Sequence, residues 1–246
     1  MEKLNIARMD SEQLSYKTKM ALIDAIRSNG RDGKPLKLPN EDELSQQLGV
    51  SRNVLRDALM SLEEVGIVTR RRSKGTIANP KIANATCRLD TNPELMHLIE
   101  EAGYRSRAET VKLGFVSGPE PVLDAESGYL NVERLFYADD RPVAYCADHI
   151  AGKYIRVGGQ AINELRNLTH YKFLEEYCHI SMAYTMARID AALPEPWLAQ
   201  QLQIPAGEPV LIMDDSVYSY DHELVAHSNI WFRRGMLELK FLRKSW

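Results

Sequence analysis

Residues Asn40–Ala78, NEDELSQQLGVSRNVLRDALMSLEEVGIVTRRRSKGTIA, decide how the chain is read. Asn40 stands where a helix N-cap is needed, with Glu43 at the N3 position of a capping box. Leu44 and Leu48 share one face, and Gly49 supplies the left-handed stop. Val50 precedes a second cap, Ser51, and has the spacing of a hydrophobic staple with Leu55. The stretch therefore predicts two helices joined by a tight corner, a helix-turn-helix.

The second helix separates its faces. At about 100° per residue, Val54, Leu55, Ala58, Leu59, Leu62 and Val65 gather on one side. Arg52, Asn53, Arg56, Asp57, Met60, Glu63 and Glu64 lie on the other, arginines first and glutamates last. A helix that enters a major groove by its N-terminal end needs that order, because its far end faces away from the phosphates. Arg and Asn also match the donors and acceptors on guanine and adenine edges. An ordinary amphipathic helix with a solvated outer face would look similar, so the helix alone leaves both readings open.

Residues 66–78 favour DNA. Gly66 ends the helix, Ile67–Thr69 reads as a strand, and Arg70, Arg71, Arg72, Ser73, Lys74 and Gly75 make a turn before Thr76–Ala78 returns. Cations so crowded repel one another unless an anion is near, and phosphates neutralised by them would release counterions. A basic hairpin directly after a helix-turn-helix is a winged helix.

The stretch from Leu38 to Ala78 resembles the DNA-binding domain of the GntR family of bacterial transcription regulators. That family shows Leu-Pro-Ser-Glu-Arg-Glu-Leu, then Gly-Val-Ser-Arg with a Leu-Arg or Val-Arg step, then Leu-x-x-x-Gly and a basic wing closing on Gly-Thr. The resemblance implies that Ser51, Arg52, Asn53 and Arg56 are recognition-helix contacts, and that Arg71, Arg72, Lys74 and Gly75 form a wing that reaches the minor groove. One position departs: the family's first-helix arginine, a phosphate contact, is Asp42 here.

Composition agrees with a globular regulator. The 246 residues suffice for two modest domains, and 44% hydrophobic with 26% charged residues is the balance of a soluble protein. No apolar run approaches the roughly 18 residues of a membrane span, and the first ten residues lack a signal peptide's apolar stretch. The three cysteines, Cys87, Cys146 and Cys178, are widely spaced, which suggests neither a disulfide framework nor a zinc site. A cytoplasmic location is expected. The net charge of −3 is unevenly spread, with a basic reader attached to an acidic body.

Residues 11–29 read as a helix, and prolines keep Pro35–Pro39 extended. A winged helix domain over 11–79 and a linker over 80–91 are expected, followed by a second domain over 92–246. In that domain Pro93–Ala102 reads as a helix and Ala108–Val116 as a strand. Tyr129–Ala138 and Val143–Ile150 form a hairpin. Thr169 caps a helix over Tyr171–Cys178. Ile180–Ala191 is extended, a helix opens at Pro194, and Val210–Tyr218 and Leu224–Phe232 make a closing hairpin. The pattern is α+β, mainly an antiparallel sheet with interspersed helices.

This half resembles the UTRA effector-binding domain of the HutC subfamily of GntR regulators. The resemblance rests on Arg134-Leu135 with Arg141-Pro142-Val143-Ala144, the helix Tyr171–Leu174, Ile189-Asp190-Ala191 leading to Ile204–Leu211, and a closing hairpin with Ser228 and Phe232-Arg233. It implies a chorismate-lyase-like fold that binds a small metabolite without acting on it. In members that bind phosphorylated sugars, alternating arginines and hydroxyls hold the phosphate. Here those positions are Arg134, Phe136 and Thr169, with Ser106 a further candidate. The family's glutamate falls on Cys146, with Asp148 next on that face. On the last hairpin Ala226, Ser228, Ile230 and Phe232 share a face. Two alternatives stand beside this: Phe136 as a core side chain, and Arg134 as half of a structural ion pair.

His170, His179, His222 and His227 show no metal-ligand spacing, and no nucleotide or nucleophile fingerprint appears, so no cofactor, metal or catalytic residue is expected. The sequence reads as a homodimeric regulator, a repressor, that binds double-stranded operator DNA and a small effector, with an anionic metabolite among the candidates. An enzyme of chorismate-lyase-like fold and a constitutive DNA-binding dimer are the alternatives.

Overall fold

The computed structural model describes residues 11–71, 73–91, 94–120, 122–123 and 128–244. The wing residue Arg72 and the helix-opening Pro93 lie outside them. The chain divides into two compact units, one formed by the N-terminal residues to Ala85 together with a C-terminal segment from Phe241, the other by Thr86–Lys240.

In the first unit, α1 (Ser11–Asn29), β1 (Leu36–Lys37), α2 (Glu41–Leu48), α3 (Arg52–Glu64), β2 (Val68–Arg71) and β3 (Gly75–Ala78) are followed by the short α4 (Pro80–Ala83). The three strands order as β1-β3-β2. Both corner caps form. The Asn40 side chain accepts from the Glu43 N–H, the Ser51 hydroxyl accepts from the Val54 N–H, and Gly49 turns at φ 65°. Leu22, Ile23 and Ile26 of α1 pack with Leu44, Leu55, Ala58, Leu59 and Leu62 in one core, so the apolar face of α3 is committed inward and its polar face must point out.

Two boundaries differ from the sequence expectation. The segment 80–91, expected as a linker without regular structure, holds α4 and a 3-10 turn at Leu89–Thr91. Asn79 caps α4 and Pro80 occupies a first-turn position where its missing N–H does no harm. At the other end, 241–244 belong to the winged helix unit and not to the second. The Lys244 ammonium donates to the Glu63 and Glu64 carbonyls, closing the end of α3 where a cation suits the dipole.

The second unit contains α5 (Leu95–Glu101), β4 (Ser106–Val116), β5 (Tyr129–Ala138), β6 (Arg141–Ala151), α6 (Gly159–Glu164), α7 (His170–Glu176), β7 (Met182–Ala192), α8 (Pro196–Gln201), β8 (Val210–Ser219) and β9 (Leu224–Phe232). The sheet is antiparallel, ordered β4-β5-β6-β9-β8-β7. Two three-stranded meanders thus meet where β6 pairs with β9, and Asp148 sits opposite Ser228 and His149 opposite His227. Alternation sends even-numbered residues of β5, β6 and β9 to one face. There Phe136, Ala144, Cys146, Ile230 and Phe232 pack in one apolar cluster, and Leu130, Val132, Ile150, Ala226, Phe173 and Leu174 in another. Leu135, Tyr145 and Trp231 face the other way, onto α8.

Candidate DNA-binding surface and effector site

On α3, Ser51, Arg52, Asn53, Arg56, Asp57 and Met60 are exposed on one side while Leu55, Ala58, Leu59 and Leu62 are buried. Carboxylates from the first turn of α2 hold both arginines. Arg52 Nε lies 2.8 Å from Asp42 Oδ1, and Arg56 Nε donates to Glu41 Oε2 at 2.7 Å. Asp42, which replaces a cation in the family pattern, is therefore the partner of a recognition-helix arginine. The Arg52–Asp42 pair is largely exposed, and such pairs contribute little to stability, so Arg52 remains free to exchange its partner for a base edge or phosphate.

The wing uses its cations in two ways. Arg70 is stitched to the body: its N–H donates to Glu63 Oε1 at 2.9 Å and its Nη2 to the Arg56 carbonyl at 3.3 Å. Arg71 and Lys74 are exposed at the turn, where the Lys74 N–H donates to the Arg71 carbonyl. Gly75 comes next at φ 78°, a conformation that favours glycine. The strand entering the wing runs to Arg71, longer than the Ile67–Thr69 expected.

In the second unit, Arg134, Cys146, Asp148 and Ser228 come together between the two apolar clusters. All four are buried. The Asp148 carboxylate accepts from Arg134 Nη1 at 2.8 Å, Ser228 Oγ at 2.7 Å and Cys146 Sγ at 3.3 Å, and His170 Nδ1 stands 3.1 Å away. Burial alone would raise this carboxyl's pKa. His170, Arg134 and the Ser228 hydroxyl outweigh it and hold the group well below the usual carboxylate range. Burial, reinforced by Asp148, pushes the Cys146 thiol well up, so it stays neutral and serves as a weak donor. Arg134 also donates through Nη2 to the carbonyls of Leu165 and Leu168, tying the segment after α6 to the sheet.

The remaining expected residues sit around this cluster or away from it. Phe136 and Phe232 are core side chains of the adjoining apolar cluster. Thr169 caps α7 through the Lys172 N–H and so fixes the position of His170, the first residue of that helix. Ser106 is not part of the cluster. It pairs with Ala138 at the far end of the β4–β5 ladder and donates to Glu100, whereas Arg134 pairs with Thr110.

Two residues that sequence reasoning misses complete the cluster. His170 is buried against Asp148, and its Nε2 has no hydrogen-bond partner among the described residues. Asp215 lies opposite Ser228 on β8, and its Oδ1 is likewise buried without a partner. Burial, with the charges of Asp214 and Asp148, raises the Asp215 carboxyl to about 6 against the pull of His170. The period of β8 carries a signal for Asp215, a carboxylate in the stripe Leu211, Met213, Val217. Nothing in the sequence marks His170, since α7 brings it to Asp148 through tertiary packing. An open groove of about 510 Å³ runs beside α6, lined by Val157, Gly158, Gln160, Ala161, Glu164 and Tyr177.

Comparison with known proteins agrees with both halves. Residues 22–77 match the family described as bacterial regulatory proteins, gntR family, and residues 122–236 match the UTRA domain. The histidine utilization repressor of Pseudomonas aeruginosa is 29% identical over 84% of this chain and 82% of its own length. The HTH-type transcriptional repressor NagR of Bacillus subtilis is 23% identical over 94% of each. Among solved structures, a possible transcriptional regulator, YydK, from Bacillus subtilis superposes with a TM-score of 0.72 at 14% identity, covering 97% of this chain and 100% of that one. PhnF from Mycobacterium smegmatis superposes at 0.54 with 21% identity, covering 93% and 99%. At those identities the likeness speaks for the fold. These relatives are transcription regulators and not enzymes, and no helix among the described residues is long and apolar enough to cross a membrane. With a winged helix that presents Arg52, Asn53 and Arg56, followed in the chain by a sheet domain of UTRA type, the chain belongs to the GntR family of bacterial regulatory proteins, HutC subfamily, and is a DNA-binding transcription regulator with an effector-binding domain.

Proposed function

We propose that the chain is a homodimeric repressor, released from a two-fold symmetric operator when a small nitrogen-bearing metabolite enters the cluster of Arg134, Asp148, His170, Asp215 and Ser228. The observation that carries this is the pair of orphaned buried atoms, His170 Nε2 and Asp215 Oδ1. Buried polar atoms without partners are costly, and a ligand that satisfies them recovers that cost on binding. Asp215 Oδ1 accepts when its carboxyl is ionised, and His170 Nε2, on the far side of the ring from Asp148, donates or accepts according to its tautomer. The carboxylate calls for a ligand with an N–H or O–H donor. Arg134 is engaged by Asp148 and two carbonyls, so the cluster is no bare cradle for an anion.

A ligand competing for Arg134 or Asp148 would free the segment carrying Leu165 and Leu168. It acts on DNA only through different affinities for two arrangements of the protein. In the DNA-binding unit, Ser51, Arg52, Asn53 and Arg56 with the wing residues Arg71, Arg72, Lys74 and Gly75 contact the operator. A second copy would cover the apolar side chains Tyr184 and Met186 that β7 leaves exposed on one face.

The experiment is a melting-temperature screen of the full chain against nitrogenous metabolites, beginning with histidine because a relative is named for its utilization. Light scattering reports the chain's mass in solution. A hit whose shift disappears in His170→Gln and Asp215→Asn supports the reading. A hit unaffected by both variants places the effector elsewhere, and a monomeric mass on operator DNA removes the dimer.

A further inference from the structure

The sheet carries a second polar cluster on the face opposite the effector site. Asp148/His149 on β6, Asp214/Asp215 on β8 and His227/Ser228 on β9 are consecutive pairs, and each sends one side chain to either face. Asp148, Asp215 and Ser228 form the cluster already described. His149, His227 and Asp214 meet Glu120, which lies beyond the end of β4, on the other side. The two clusters share no side chain.

Glu120 and His227 are almost fully buried, 6% and 3% exposed. One carboxylate oxygen of Glu120 is committed, since Oε2 accepts from the Leu123 N–H at 2.7 Å. The other, Oε1, faces both imidazoles, 3.1 Å from His149 Nδ1 and 3.7 Å from His227 Nδ1. His227 is oriented from behind. Its Nε2 is 3.0 Å from Asp214 Oδ1, and Asp214 is itself held by Arg188 at 2.7 Å. Its Nδ1, on the other side of the ring, is buried, has no hydrogen-bond partner among the described residues and lies 3.7 Å from Glu120 Oε1.

A buried ring nitrogen left without a hydrogen bond beside a carboxylate oxygen is satisfied when something positive lies between the two. We propose that Glu120 Oε1, His149 Nδ1 and His227 Nδ1 bind a divalent transition-metal ion of the zinc class, with Asp214 as the outer carboxylate that orients His227. Donors about 2.0–2.1 Å from a tetrahedral ion stand about 3.3 Å from one another, and the two Glu120–histidine separations bracket that value. Two imidazoles and one carboxylate suit zinc, nickel, copper or iron, whereas calcium and magnesium take oxygen donors. A carboxylate behind a ligating histidine is the usual second support of such sites. The three donors come from a loop and two strands far apart in sequence, so no spacing in the chain could announce them. The ion would pin the loop that carries Glu120 to the central β6–β9 pair.

The test uses untagged full-length protein stripped with EDTA and exchanged into buffer free of chelator. Titration with ZnCl2, monitored by calorimetry, should give one ion per chain, and Co²⁺ should give the visible absorption of a bound tetrahedral ion. Glu120→Gln and His149→Gln should each weaken zinc binding at least about ten-fold, and Asp214→Asn about 10–100-fold. His149 is only partly buried, so its variant keeps the test decisive if His227→Gln does not fold. Wild-type protein that binds no zinc at one per chain overturns the proposal, as does binding undiminished in both Glu120→Gln and His149→Gln.

Discussion

Replacing Asp215 with Asn should make the protein more stable and less responsive. Asp215 is 5% exposed, and its carboxyl is raised from 3.8 to about 6, chiefly by burial and then by Asp214 and Asp148. A carboxyl with a higher pKa folded than unfolded keeps its proton longer in the folded state, so the unfolded state binds fewer protons between those two values. Folding stability therefore falls as pH rises from about 4 to about 6 and is flat above. The interval is worth about 3 kcal/mol, the cost of keeping an ionised Asp215 buried at pH 8. An amide of the same shape does not ionise. Asp215→Asn should recover much of that cost, a gain of about 1–3 kcal/mol at pH 8 and little at pH 4.5. Urea unfolding monitored by tryptophan fluorescence reads this in the correct unit when Asp215→Asn and its reference both carry Trp246→Phe, because Trp197 and Trp231, the other two tryptophans, lie in the sheet domain. A variant less stable than wild type at pH 8, or a gain that does not change with pH, would refute the assignment of Asp215 as a strained, unpartnered carboxylate.

The same geometry sets four further outcomes. Asp148→Asn leaves Arg134 buried beside an uncharged partner and should destabilise the sheet domain by about 3–5 kcal/mol in the same assay, more than the paired replacement of Arg134 and Asp148 by apolar residues. Arg52→Ala and Arg56→Ala should each weaken operator binding roughly ten-fold or more in fluorescence anisotropy, with nonspecific binding much less affected. Asp42→Asn frees Arg52 and removes a carboxylate from the DNA side, so binding to any duplex should strengthen, by less than about ten-fold. Arg71→Ala and Lys74→Ala should each reduce the slope of log affinity against log salt by about one, whereas Arg70→Ala should lower the melting temperature because that guanidinium holds the wing to the Arg56 carbonyl and the Glu63 carboxylate of α3.

The reader domain is legible in the sequence because its signals are local. Asn40, Gly49 and Ser51 satisfy or end helices within their own turns, and the spacing of Leu55, Leu59 and Leu62 selects one buried face. The strands of the second unit are legible for the same reason, through alternation and hairpin turns. What escapes depends on contacts between distant segments. Asp42 reads as a misplaced anion until α2 sets it beside Arg52. The residues 80–91 lack periodicity, yet Asn79 and Pro80 start a helix and Cys87 and Arg88 are buried. Lys244 finds the end of α3 across most of the sequence. At the effector cluster, Arg134, Cys146, Asp148 and Ser228 share a sheet face that period two reveals, while His170 arrives by helix packing and Ser106 is withheld by strand register. A face rule finds residues along strands and says nothing of what is packed above them.

The proposed control of DNA binding by a ligand held at His170 and Asp215 has a direct readout. It is tested most directly by titrating the metabolite selected in the melting screen into full-length protein bound to a duplex obtained by binding-site selection. Anisotropy should show the wild-type affinity for that duplex falling at least about ten-fold at saturating metabolite, with His170→Gln and Asp215→Asn binding the duplex normally and failing to respond. Variants that release the duplex at the same metabolite concentration as wild type would contradict the account.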